Sequence, residues 1–138
     1  MNTDVPTPLR KHGLLKFCLL VVVLVGAVIG GTAWFKKTSA INSTCEWAQM
    51  NPLPVPAGKV HVQTKGTAFT REFIVTFTGE REAIHAWLNA SPGTRSLYRD
   101  PGLGGIFHHA LAPGGGAQFA EITVSQGGTK VVIRAYWS

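Results

Sequence analysis

A chain of 138 residues with a formal net charge of +6 and two cysteines has room for one small domain beside any targeting segment. Divided along the chain, the charge excludes the simplest nucleic-acid reading. Residues 1–40 carry +4, from Arg10, Lys11, Lys16, Lys36 and Lys37 against Asp4, and residues 41–138 carry only +2, so most of the basic excess flanks an apolar run, where it meets lipid headgroups and sets topology.

That run, Phe17 to Phe35, is 19 residues without a charge, and at about 1.5 Å per residue a helix of this length matches the ~30 Å hydrocarbon layer. It is apolar all round, unlike the striped surface of a soluble helix, and Trp34, Phe35, Lys36 and Lys37 form an aromatic and basic collar at one end. Gly31, Thr32 and Ala33 also fit a signal-peptidase site, but the length of the run and its closing collar favour a retained anchor over a cleaved leader. Arg10, Lys11, Lys16 and the terminal amine outnumber Lys36 and Lys37, which predicts a cytoplasmic N-terminus and an extracytoplasmic C-terminal domain. The predicted divisions are an N-terminal tail (1–13), an anchor with its flanks (14–37) that contacts membrane lipid, a polar and Pro-rich tether (38–58) and a folded domain (59–138).

Cys18 lies in the anchor and Cys45 stands alone beyond it. No disulfide can then form within the domain, and Cys45 is either an ordinary thiol or an intermolecular bridge. Pro52, Pro54 and Pro56 alternate, a composition suited to a stiff extended spacer, and Asn42-Ser43-Thr44 fits the N-glycosylation acceptor.

Within the domain, Lys59 to Lys65 alternates as a strand, with Val60 and Val62 on one side. In Phe69 to Phe77 the residues Phe69, Phe73, Val75 and Phe77 share one side of a second strand, interrupted by Arg71. After Gly79 the period changes: Ile84, Trp87 and Leu88 fall at helical spacing, Glu80 and Glu82 suit a helix start, and Ser91-Pro92-Gly93 ends it. Residues 93–105 read as a loop, followed by a short strand from Ile106 to Leu111 and a turn at Pro113 to Gly116.

Phe119 to Tyr136 reads as a hairpin turning at Gly127-Gly128. This register sets Val124 opposite Val131, Ile122 opposite Ile133 and Ala120 opposite Ala135, and on the other side Thr123 opposite Val132, Glu121 opposite Arg134 and Phe119 opposite Tyr136. The predicted class is α+β: one N-terminal transmembrane helix, then a small antiparallel sheet with one short helix packed on one face.

Chemistry is sparse. His108-His109 suggests a metal, but neighbours on a strand point to opposite sides, and no two histidines have the helical zinc spacing. The two glycine clusters precede strand-like sequence rather than a helix, so neither is a phosphate loop. No serine sits in a nucleophile elbow. Glu72 and Asp100 lack an evident partner. The pattern therefore assigns no catalytic, cofactor-binding or metal-ligating residue and no cofactor, and favours a binding or assembly module over an enzyme. Arg95, Tyr98, Arg99, Tyr136 and Trp137 are residue types that dominate interfaces; they form the expected interaction surface, toward another envelope protein or a second copy. The rival reading is an envelope enzyme or ligand-binding domain with a pocket around His61, Arg99, Asp100 and His108. The alternating prolines, the F-x-V-x-F segment of Phe73 to Phe77 and the terminal Y-W-S resemble small bacterial domains of unknown function displayed behind an N-terminal anchor, a resemblance that implies no activity and transfers no functional residue.

Overall fold

The computed structural model describes residues 11–67 and 69–138, with side chains from residue 16 onward. Residues 1–10 of the predicted tail, including Arg10 of the orientation argument, lie outside the described residues. The chain divides into two compact units, Met1–Phe35 and Lys36–Ser138.

The described part of the first unit is helical. Helix α1 runs from Lys11 to Trp47. Its apolar window is long enough to cross a bilayer, and none of that window is buried within the protein. A core helix of a soluble domain would be largely covered by its own chain.

In the second unit the predicted tether is replaced by core structure. Residues 36–47 continue α1, and Ala40, Ile41, Thr44, Cys45 and the following Ala48 are all buried. Their spacing, in adjacent pairs four residues apart, marks one helical side. Thr44 can be fully buried because its hydroxyl donates to the Ala40 carbonyl at 2.7 Å, satisfying a group that would otherwise be costly to desolvate. The Asn42-Ser43-Thr44 pattern thus lies within α1, with its Thr44 hydroxyl engaged by the backbone in the core. Cys45, 8% exposed, is a core thiol and not a surface bridge.

Gln49 ends the helix in the left-handed region (φ 54°). Met50 N–H reaches back to the Cys45 carbonyl and Gln49 N–H to the Glu46 carbonyl, at 2.7 and 3.1 Å. These are the paired bonds that satisfy the last carbonyls of a helix. The Pro-rich stretch then stays on the domain, with Leu53, Val55 and Ala57 packed against the core, the Asn51 carbonyl accepting from Trp87 Nε1 at 3.0 Å and Asn51 N–H donating to Ser91 Oγ at 3.2 Å.

Five strands follow as β1 (Val60–Gly66), β2 (Arg71–Thr78), β3 (Phe107–Leu111), β4 (Phe119–Ser125) and β5 (Lys130–Trp137), with helix α2 (Arg81–Ala90) between β2 and β3. They form one antiparallel sheet in the order β1-β2-β5-β4-β3. Phe69 falls outside β2: the chain turns back at Thr67, whose N–H bonds the Thr70 carbonyl at 2.9 Å, and Phe69 is left 81% exposed.

The β4–β5 pairs include all six expected from the sequence. The connection is longer than two residues, because the last pair is Ser125 with Lys130 and Gln126 joins Gly127 and Gly128 at positive φ. One side of the sheet presents Val75, Phe77, Ile122, Val124, Val131 and Ile133, all buried in a single cluster with Ile41, Cys45, Ile84, Trp87 and Leu88, and Phe73, also buried, against Trp47 at 5.3 Å between ring centres. Burying each large apolar side chain contributes roughly 1.5–3 kcal/mol, which holds a ten-residue helix too short to persist alone. Trp87 meets Phe77 edge-on at 5.6 Å, an arrangement the ring quadrupoles favour.

Candidate functional site

With both helical segments contributing to one cluster, the other side of the sheet is built from the alternate residues of the same strands. Its register can be read row by row. Lys65, Glu72, Tyr136 and Phe119 form the row nearest the β1–β2 turn; Gln63, Ile74, Arg134, Glu121 and Ala110 form the next; His61, Thr76, Val132, Thr123 and His108 form the third.

Arg134 organises this face. Its Nε donates to Glu72, its Nη1 lies 3.5 Å from Glu121 Oε1, and its guanidinium sits 6.0 Å from the centre of the Phe119 ring. The hydrogen bond to Glu72 is the main cause that raises the Arg134 pKa above its ordinary value. Phe119 in turn packs on Tyr136 at 5.7 Å between ring centres. Both carboxylates are thus engaged by one arginine, which orders this group of side chains. A cleft of about 330 Å³ opens beside it, lined by Gly66, Thr70, Arg71, Glu72, Arg134 and Tyr136.

The predicted interaction residues separate into two groups. Tyr136 and Trp137 stand at the end of β5, paired with Glu72 and Arg71. Tyr98 belongs to a turn stitched by bonds from Thr94, Arg95, Leu97 and Tyr98 back to residues 91 and 94. It is only 4% exposed, edge-on to His85 at 4.9 Å and to Phe107 at 5.0 Å. Tyr98 is therefore a core residue and not a surface contact; the turn after α2 folds it under the domain. Its neighbour Phe107 pairs with Val124, at the opposite end of β4 from Phe119. Arg95 and Arg99 are exposed, and Arg99 Nη1 donates to the Tyr98 carbonyl at 2.8 Å.

The four residues of the rival pocket do not converge. His61 and His108 share the open side but lie on the two outer strands, four strand spacings apart, or roughly 19 Å at about 4.8 Å each. Asp100 and Arg99 belong to the loop beyond α2. Asp100 is instead a fastener: it accepts from Arg81 Nη2 at 2.6 Å and from Gly102 N–H at 3.0 Å, and His85 Nε2 lies 3.3 Å away. The Gly102 N–H, then His85 and Arg81, hold its carboxyl below the usual carboxylate value. His108 and His109 leave opposite sides of β3: His108 Nδ1 bonds Thr123 Oγ1 at 2.8 Å on the open side, and His109 lies against Phe107 on the other. Among the described residues no three His, Cys, Asp or Glu side chains gather as a metal site.

Sequence reasoning did not include Phe119, Arg134 or Glu72 in the expected interaction surface. Two of the three were within reach, because the hairpin register sets Phe119 opposite Tyr136 and Glu121 opposite Arg134. Glu72 was not, since its link to Arg134 depends on β2 pairing with β5 across 62 residues. Comparison with known proteins finds no matching family model, no matching curated protein and no matching solved structure.

Proposed function

We propose that this chain is a single-pass membrane protein with its N-terminus in the cytoplasm and its α+β domain outside, and that the domain acts by binding a partner protein of the envelope through the open side of its sheet, around Phe119, Arg134 and Tyr136. The observation that carries this reading is the arrangement at Arg134: an arginine held by two carboxylates over an aromatic pair, on strands whose other side is fixed by the core. Aromatic and arginine side chains presented rigidly lose little entropy on docking and supply most of the energy at protein interfaces. The uncharged run from Phe17 to Phe35 and its basic flanks support the anchored, outward orientation.

A photo-crosslinking residue placed at Tyr136 or Phe119, in intact membranes, is expected to give an adduct that the same residue at exposed Ser96 does not give. The adduct's mass distinguishes a different protein from a second copy. Equal labelling from all three positions, or none from Tyr136 and Phe119, would remove the reading. A reporter active on only one side of the membrane, fused after Ser138, checks the orientation.

A further inference from the structure

The apolar run ends at Phe35, and the folded unit begins with the next residue. Lys36 and Lys37 of that unit line a cleft of about 370 Å³ together with Val60, His61, Val62 and Thr64 of β1. Its chemistry is specific: two ammonium groups and the Thr64 hydroxyl stand around an aliphatic floor of Ala40, Val60 and Val62, with no carboxylate in the lining, whereas the His61 ring lies on the open side of the sheet beside Gln63. Among the described residues neither lysine is engaged in an ion pair. β1 is an outer strand of the sheet, and Thr64 and His61 are exposed, so the cleft is open at the sheet margin. The volume lies within the ~300–1,000 Å³ common for small-ligand sites.

We propose that this cleft receives the phosphate of an anionic phospholipid headgroup. Lysine ammonium groups bind phosphate as point charges and a threonine hydroxyl adds a directed donor. The inference rests on the anchored reading given above: with Phe17 to Phe35 in the bilayer, connectivity alone puts Lys36 and Lys37 at the level of the headgroups. A free phosphate would meet the same donors in water, but only the lipid is concentrated where the run ends. Basic residues flanking any span attract anionic lipid loosely. Here a strand that arrives only after the Pro-rich segment closes the other side of the site, so retention depends on residues remote in sequence from the anchor.

The test uses the full chain in nanodiscs of mixed phosphatidylglycerol and phosphatidylcholine, with native mass spectrometry of the lipid that stays bound on release. The parent protein is expected to retain phosphatidylglycerol in preference. That retention is lost in Thr64→Glu, which sets a negative charge in the cleft, and in the Lys36→Gln, Lys37→Gln double variant; it persists in Ser96→Glu, a charge of the same sign elsewhere on the domain. Far-ultraviolet circular dichroism is expected to show that Thr64→Glu, at an exposed position, keeps its fold. Equal retention of both lipids by the parent overturns the proposal. So does retention by Thr64→Glu that matches the parent, since the lysines would then act only as flanking charges, and so does displacement of the lipid by millimolar inorganic phosphate. Sedimentation with alkali-washed vesicles separates the two readings: a protein that fails to sediment refutes the anchor, whereas one that sediments without lipid preference refutes the cleft alone.

Discussion

The two sides of the sheet are made from the same five strands and differ by one residue of offset. Toward the helices, Val75, Ile122, Val124, Val131 and Ile133 are completely buried, and the contacts are non-directional and volume-filling. Toward solvent, Glu72, Glu121 and Arg134 make directional contacts that water can replace. The first side holds the domain together, and the second can vary in chemistry at small cost to the fold. A core side and a chemically variable open side are thus a consequence of strand periodicity.

Substitutions can break or sharpen that contrast. The largest effect is expected on the covered side: Leu88→Ala, at a side chain with no exposure, should lower the unfolding free energy by about 2–5 kcal/mol in chemical denaturation, through lost transfer energy and the cavity left behind. Next comes Gly93→Ala. A Cβ there would collide with the Ala48 carbonyl oxygen, and the Gly93 N–H bond to the Gln49 carbonyl (2.8 Å) would be displaced, for a loss of about 1–3 kcal/mol in the same measurement.

On the open side, Arg134→Ala removes an ion pair whose arginine is 46% exposed, so its cost to stability should stay below about 1 kcal/mol. The same variant is expected to lose the crosslinked adduct at Tyr136. A stability loss as large as that of Leu88→Ala would mean that the two sides do not divide the labour as described.

The smallest effect is one of pH. The folded-state pKa of Asp100 lies below its ordinary value of 3.8, so its stabilisation is complete above the ordinary carboxylate range and is lost as pH falls through the lower folded value. Asp100→Asn should therefore be less stable than the parent at neutral pH, and the difference should vanish in acid. An unchanged gap down to the acid limit would show that the carboxylate's ionisation contributes nothing to the loop.

Much of this architecture was legible from residue order. The β4–β5 register followed from alternation and a glycine turn, and the α2 stripe of Ile84, Trp87 and Leu88 from helical spacing, because in each the partner lies within a few residues. The role of residues 38–50 was not legible by hydropathy, since apart from Ile41 the helical side that enters the core is made of Ala40, Thr44, Cys45 and Ala48, small or polar residues that read as a linker. Their pairwise spacing of four was the available signal. At the candidate site, Tyr136 and Trp137 were visible as aromatic ends of a strand. Tyr98 was misplaced because composition does not tell a solvated loop from a tight turn that folds its aromatic inward. The pairing of β2 with β5, which brings Glu72 to Arg134, is a long-range contact with no local trace.

The continuation of α1 into the core has a bearing on proteolysis. The folded unit starts at Lys36, and its first buried residue is Ala40. A cut at the small-residue site near Ala33 would therefore sever the apolar run and leave every core side chain of the domain on the released fragment. The fragment released by such a cut would keep the open sheet face and the Lys36–Lys37 cleft together, and lose only the apolar run.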